Sequence, residues 1–247
     1  MRPFLSLLIL LLAGCASGPP EGTPWPDIQP FSANAPGPGL PRGWQPWILN
    51  RAKTPTVYQM VTDASTGRVV LHAVAESSAS GLSQRLDLKP PERPVIAWSW
   101  RVVDLIAAAD NQDRYSEDAP ARLMLFFDGD RSQLSMKEQM LRETAHLLTG
   151  QEPPFATLMY VWENRFAPET VLRNTFTDQV KMIVVGTGRD RIGTWKSFQR
   201  DYVEDYRRAF GHDPGHLVGI GIMTDTDNTG ESVEAFYGDI VLRTRAP

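Results

Sequence analysis

Thiol and imidazole chemistry are nearly missing from this sequence. Among 247 residues there is one cysteine, Cys15, so no disulfide framework can form within the chain. Histidine occurs four times, at His72, His146, His212 and His216. The only close pair, His212 and His216, spans Pro214 and Gly215, which break the helix that would bring both rings onto one face; this argues against a zinc site. Basic residues are scattered and the formal charge is −4, which argues against a nucleic-acid partner. There is no Gly-x-Ser-x-Gly elbow, and Gly186-Thr-Gly188 is a lone Gly-x-Gly without the strand-to-helix setting of a phosphate loop.

What is present begins with an address. One arginine, Arg2, precedes an apolar run from Phe4 to Leu12 and then small residues, the pattern of a secretory signal peptide too short to cross a membrane as a stable helix. Leu12-Ala13-Gly14-Cys15 resembles the bacterial lipoprotein processing motif. That resemblance implies removal of residues 1–14, lipidation of Cys15 (thioether diacylglycerol plus an acyl chain, palmitate class) and anchoring by several chains. The non-acidic Ala16 that follows implies delivery to the outer membrane, with the folded part on its periplasmic or surface face. Residues 15–43 alternate Pro and Gly with Ser, Thr and single aromatics and read as a semi-extended tether, reaching at most about 80 Å at ~3.1 Å per residue. The remainder, 44–247, reads as a single domain.

That domain is expected to be mainly β. Thr56–Val61 and Arg68–Ala75 form a hairpin around a Gly-containing loop. In Pro94–Val103, Ile96, Trp98, Trp100 and Val102 share one strand face. Arg122–Phe127 is apolar on both faces, as in a strand buried between layers. One amphipathic helix is inserted after it, with Ser135 and Glu138 at capping-box spacing and Gly150 at its end. A second short helix covers Val203–Phe210, with Tyr202, Tyr206 and Phe210 on one side. Gly219–Ile240 reads as a closing hairpin around an acidic turn. Many strands with Gly/Pro turns and no regular helix alternation point to an antiparallel, jelly-roll-like β-sandwich.

The acidic turn carries the first candidate site. Asp225, Asp227 and Asn228 offer carboxylate, amide and backbone oxygens suited to a hard cation such as a structural calcium. The spacing starts like an EF-hand loop, but the twelfth position is Phe236 rather than Glu. The alternative is a polar turn whose side chains cap their own backbone. Arg122 at the start of an apolar strand requires an acidic partner, and Asp239 or Asp118 is the expected one. The pair would either fix register or hold a ligand. Trp98, Trp100 and Trp162 have core neighbours, whereas Trp195 has polar ones and is the better ring for stacking on a sugar; Tyr58, Tyr202 and Tyr237 are further rim candidates.

A wider pattern accompanies these residues: Trp44, Thr56-Val-Tyr58, Ser78-Ala-Ser-Gly-Leu82, Trp98-Ser-Trp-Arg101, Asp118-Ala-Pro-Ala-Arg122, Tyr160-Val-Trp162, Met223–Gly230 and Tyr237-Gly-Asp-Ile240. It resembles a bacterial exported family known only as a domain of unknown function, number three-zero-four-seven of that series. The resemblance implies an exported β-sandwich and no assigned catalytic residue. The closing Tyr237–Ile240 strand is also similar to that of jelly-roll carbohydrate-binding modules, a fold-level analogy. The functional expectation is a lipid-anchored binding module for glycan or another envelope component. Its alternatives are a carboxylate-dependent hydrolase of envelope polysaccharide and a lipoprotein that docks another protein.

Overall fold

The computed structural model describes residues 23–189 and 191–245; the expected signal peptide and the lipidation at Cys15 lie outside them. Among the described residues there are thirteen strands and two α-helices. The strands are β1 (Gln45–Trp47), β2 (Val57–Thr62), β3 (Val69–Glu76), β4 (Ala79–Leu88), β5 (Val95–Val102), β6 (Ala119–Phe127), β7 (Ala156–Glu163), β8 (Val171–Arg173), β9 (Val180–Thr187), β10 (Lys196–Asp201), β11 (Leu217–Asp225), β12 (Ser232–Tyr237) and β13 (Val241–Arg243). The helices are α1 (Met136–Thr149), inserted between β6 and β7, and α2 (Tyr202–Phe210).

The strands form two sheets. One runs β1-β4-β11-β6-β7-β9-β8; the other runs β10-β5-β12-β3-β2, with β13 also on β5. The expected mainly β sandwich with one inserted helix and a second short one is therefore what the chain adopts. Pairing is antiparallel except between β7 and β9, which run parallel. The β2–β3 hairpin forms as expected, in register from Val57↔Val74 to Thr62↔Val69. The closing hairpin does not: β11 lies in the seven-stranded sheet and β12 in the other, so the acidic turn crosses between the two layers. Both segments bury apolar residues, and periodicity alone does not say whether consecutive strands pair or face each other.

Alternation builds the interior. On β5, Ile96, Trp98, Trp100 and Val102 are buried while their neighbours are half-buried. On β6, Ala121, Leu123, Leu125 and Phe127 belong to the main core, and Met124 and Phe126 to a separate cluster with Met223. Every residue of β6 is buried because both faces of this strand are covered. Rings bridge the layers and reinforce the sheet: Trp98 stacks across the sandwich on Tyr160 of β7 at 4.9 Å and, within its own sheet, on Phe198 of the neighbouring β10 at 5.1 Å. Each such side chain stabilises the fold by roughly 1.5–3 kcal/mol relative to exposure.

The segment expected as a tether up to residue 43 departs from that reading from Trp25 onward. The Trp25 backbone N–H donates to the Arg85 carbonyl, Ile28 and Phe31 are buried, and the Phe31 ring lies 4.9 Å from that of Trp44. Gly37 exchanges backbone hydrogen bonds with Met60. Proline and glycine limit regular structure there to one 3-10 turn, Phe31–Ala33, but Ile28 and the aromatic anchors gain enough burial to pin the segment on the sandwich.

Helix α1 is set apart from the core. Ser135 caps it by accepting from the Glu138 backbone N–H at 3.3 Å, and Gly150 closes it in the left-handed conformation, φ 73°. Glu138 does not complete the capping box. Its carboxylate instead accepts from the Thr177 hydroxyl and, at 3.1 Å, from the Asp178 N–H. Glu138 is the one buried residue of the helix, and Met136, Met140, Leu147 and Leu148 are exposed.

Candidate functional site

The site grows from the open ends of two neighbouring strands. β6 starts with Arg122 near its head, β11 ends with Asp225, and the antiparallel register places Asp225 opposite Ala119, after an irregularity that follows the Met223↔Arg122 pair. The two side chains then meet on the outer face of the seven-stranded sheet. Arg122 Nε donates to Asp225 Oδ1 at 2.9 Å and Nη2 to Oδ2 at 3.1 Å, a two-pronged pair with both partners buried. Nη2 also donates to the Glu117 carbonyl at 3.0 Å, and Nη1 lies 3.8 Å from the Glu117 carboxylate.

Arg122 thus has the acidic partner its burial demands, but the expected identities were Asp239 and Asp118. Asp239 follows β12 in the opposite sheet, where it accepts from the Ser32 N–H at 2.9 Å and pairs with Arg68 at 3.3 Å. Asp118 is adjacent, yet its carboxylate organises the turn, accepting from the backbone N–H groups of Asn228 at 3.3 Å and Thr229 at 2.7 Å. Asn228 also donates its side-chain amide to the Glu117 carbonyl at 3.2 Å. Asp227 pairs with Lys53.

Asp118, Asp225 and Asp227 each offer a carboxylate oxygen, and these oxygens all lie within 4.8 Å of one another. Two of the three expected cation ligands, Asp225 and Asp227, are thus brought together with Asp118, and the Asn228 amide lies beside them, 3.3 Å from the Asp118 carboxylate. Arg122 and Lys53 already supply positive charge to this group. Burial pushes the Asp225 carboxyl up to about 7, against the downward pull of Arg122 and with a further push from Asp118. Burial also raises the Glu117 carboxyl, against Arg122 and hydrogen bonds from Asn174 and Thr175. For Arg122, burial disfavours the cation and Asp225 and Glu117 more than offset it, so its pKa lies above the ordinary value.

This charged cluster forms one end of a cavity of ≈ 410 Å³. The floor is the outer sheet face, with Thr157 and Met159 of β7 and Met223 of β11; the roof is Leu141, Arg142 and Ala145 of α1; Trp47 of β1 closes a side. Trp47 sits against Gly81, where a Cβ would come 3.1 Å from the indole and 2.5 Å from the Ile222 carbonyl oxygen. The walls are mostly apolar. Glu117, Arg122, Asp225, Asp227 and Asn228 form a charged end, near Lys53 and Arg114, and Glu138, Arg142, Thr177 and Gln179 add polar groups elsewhere on the lining.

The sequence reading missed Glu117, Lys53, Met159 and Met223. One signal for the methionines was available: β6 is apolar on both faces, so something must cover the outer one, and that face is methionine-rich in β6, β7, β9 and β11 (Met124, Met159, Met182, Met223). The remaining candidates lie elsewhere. Trp195, just before β10, donates to Asp63 Oδ1 at 3.2 Å and lies beneath the Arg101 guanidinium, 5.7 Å away, so its ring is half-buried and engaged. Tyr202 and Tyr237 are buried and reach no rim, and the Tyr58 hydroxyl donates to the Ser80 carbonyl. Cys15 is outside the described residues.

Residues 42–241 match the model of the family described as protein of unknown function (DUF3047), and the chain belongs to that family. A comparison with curated proteins finds no match. Among solved structures the chain is similar to the K3 cleaved adhesin domain of Lys-gingipain from Porphyromonas gingivalis W83, at 12% identity and TM-score 0.36, over 88% of this chain and 99% of that one. It is also similar to the xyloglucanase domain of NopAA, a type three effector from Sinorhizobium fredii, in complex with cellobiose, at 7% identity and TM-score 0.38, over 79% and 92%. A third is the cellulose induced protein Cip1, at 11% identity and TM-score 0.34, over 82% and 91%. Likenesses of this size carry no functional argument.

Proposed function

We propose that this member of the DUF3047 family is an envelope-anchored binding module whose site is the cavity between α1 and the outer face of the seven-stranded sheet. The observation that carries the reading is the cavity itself: ≈ 410 Å³, with a mostly apolar surface, a charged cluster of Glu117, Arg122, Asp225 and Asp227 at one end, and Glu138, Arg142 and Gln179 as further polar groups on its lining. That volume is in the range of small-molecule sites, which are mostly apolar with a few placed polar groups. The ligand is an envelope component with an apolar body and a small head that donates hydrogen bonds. The carboxylates of Glu117, Asp225 and Asp227 already face Arg122, Lys53 and Asn174, but each oxygen keeps a lone pair beyond those bonds, so a head that donates, hydroxyl or ammonium, suits this end better than a carboxylate. Methionine floors adapt to tails of varied shape. Lipidation at Cys15 and an outer-membrane address, read from the leader, would place the cavity beside a source of such molecules.

A hydrolase is less well supported. Asp225 has the raised pKa of a general acid, but both of its oxygens are engaged by Arg122, and Asp118 and Asp227 are likewise engaged. The test compares thermal melting of the chain with decylamine, decanol, decanoate and cellobiose. Decylamine or decanol raises the melting midpoint, decanoate does so less, and Met159→Trp, which fills the cavity, abolishes the shift. A shift with cellobiose alone would replace this reading with a glycan site, and no shift with any of the four would remove it.

A further inference from the structure

A second constellation lies outside the cavity, where the long β5–β6 connection (103–118) meets the end of β7. Glu163 is buried, 1% exposed. Its Oε2 accepts from the backbone N–H groups of Arg165 and, at 2.7 Å, Phe166. Its Oε1 has only a 3.4 Å contact from the Asn111 amide, and among the described residues no Lys, Arg or His pairs with it. Arg165, the nearest cation in sequence, turns to Asp110 instead, at 2.8 Å.

The groups around Glu163 are short of donors. Asn111 is also 1% exposed; its amide nitrogen is shared between Glu163 and the Asp118 carbonyl, 3.4 Å from each, and its Oδ1 has no partner. Next to Glu163, Asn164 gives its amide nitrogen to the carbonyls of Ile106 and Ala109, and its Oδ1 is likewise without a partner. Two amides therefore serve a carboxylate oxygen and three carbonyls, while their own two oxygens go unserved. Turning either amide over only exchanges which oxygens are left. A buried carboxylate without a counter-ion is costly, and so is each orphaned acceptor.

We infer that this corner is a site for a hard divalent cation of the calcium class. Such ions take oxygen ligands only, mixing carboxylate, amide and main-chain carbonyl, which is the donor set assembled here. Glu163 supplies the charge; Asn111 and Asn164, with each amide turned over so that Oδ1 takes the place of Nδ2, supply the amide oxygens and face the carbonyls of Ile106, Ala109 and Asp118. The ion would staple a sixteen-residue connection with no strand or helix of its own to the sandwich. That connection ends in Glu117 and Asp118, so the staple also positions the polar end of the cavity. The site stands whether or not the cavity binds an amphiphile.

The test is thermal melting of the EDTA-treated chain with millimolar calcium, magnesium as comparison, and the same titration on Glu163→Gln and Asp227→Asn. Calcium raises the wild-type midpoint by about 5 °C or more. The shift is lost in Glu163→Gln and kept in Asp227→Asn. A shift lost in Asp227→Asn and kept in Glu163→Gln would move the ion to the Asp118–Asp225–Asp227 cluster and overturn the assignment. No wild-type shift would also overturn it, leaving the corner to buried water, and this arm decides the matter even where Glu163→Gln fails to fold.

Discussion

Arg122→Met gives the sharpest test of how the polar end is built. The substitution keeps most of the apolar stem and deletes the guanidinium. Asp225 then stands buried beside Asp118 and Asp227 without its chief counter-charge, and Glu117 loses a cation 3.8 Å away. Removing one partner of a buried pair costs about 3–5 kcal/mol. For a chain of this size, that is a fall of roughly 6–20 °C in melting midpoint at pH 8. The cost depends on pH with a definite sign. Asp225 already titrates near 7 in the wild type, above the ordinary value of 3.8, and the loss of Arg122 moves it further up. A group whose folded pKa is raised contributes stability that is complete below its unfolded pKa and is lost as pH rises through the folded one. Below pH 7 the folded Asp225 is protonated in both proteins, so the penalty depends on pH only between the two folded pKa values: it falls by about 1.4 kcal/mol from pH 8 to pH 7 and levels off at lower pH. Denaturant unfolding of both proteins from pH 5 to 8 measures it. The double variant Arg122→Met/Asp225→Leu should recover most of the loss at pH 8, since an apolar pair can replace a buried ion pair at little cost. A single variant as stable as wild type at pH 8, or a penalty unchanged from pH 5 to 8, would refute the reasoning.

Other outcomes follow from the same structure. Gly81→Ala places a Cβ 2.5 Å from the Ile222 carbonyl oxygen and 3.1 Å from Trp47, so it should cost about 1–3 kcal/mol in urea unfolding and shift the Trp47 fluorescence. Burial pushes the Asp63 carboxyl up, but hydrogen bonds from Ser65, Thr66 and Trp195 pull it further down, to about 2. Its contribution to stability is therefore present above pH 4 and lost as pH falls through 2, and Asp63→Asn should flatten that acid limb.

The fold was legible where a strand's two faces differ or where both are apolar. Period-2 burial on β5 and the double burial of β6 follow directly from Ile96–Val102 and Arg122–Phe127. Layer assignment was not legible. The run from Gly219 to Ile240 has the same alternation whether β11 and β12 pair or face each other, and only the pairing of β11 with β4 and β6 decides it. Asp239 was expected as a partner of Arg122 only because a buried charge needs one, and that requirement does not say which sheet the acid lies on; Asp239 follows β12 in the opposite sheet. Arg122 was recognisable as needing an acid because a charge inside an apolar strand must be paired. Lys53 and Glu117 were not recognisable, because nothing local in their segments distinguishes them from solvated charges. The tether boundary was misplaced because Pro/Gly composition reports the lack of regular structure and says nothing of the burial of Ile28 and Phe31.

The proposed ligand enters between α1 and the outer face of the seven-stranded sheet. Hydrogen exchange of the chain at saturating decylamine, with and without Met159→Trp, tests this placement most directly. Binding there slows exchange in α1 (Met136–Thr149) and along β7 and β11, and the slowing is absent in the variant. Protection confined to the six-stranded sheet around Trp195 and Asp239, or none in α1, would contradict it.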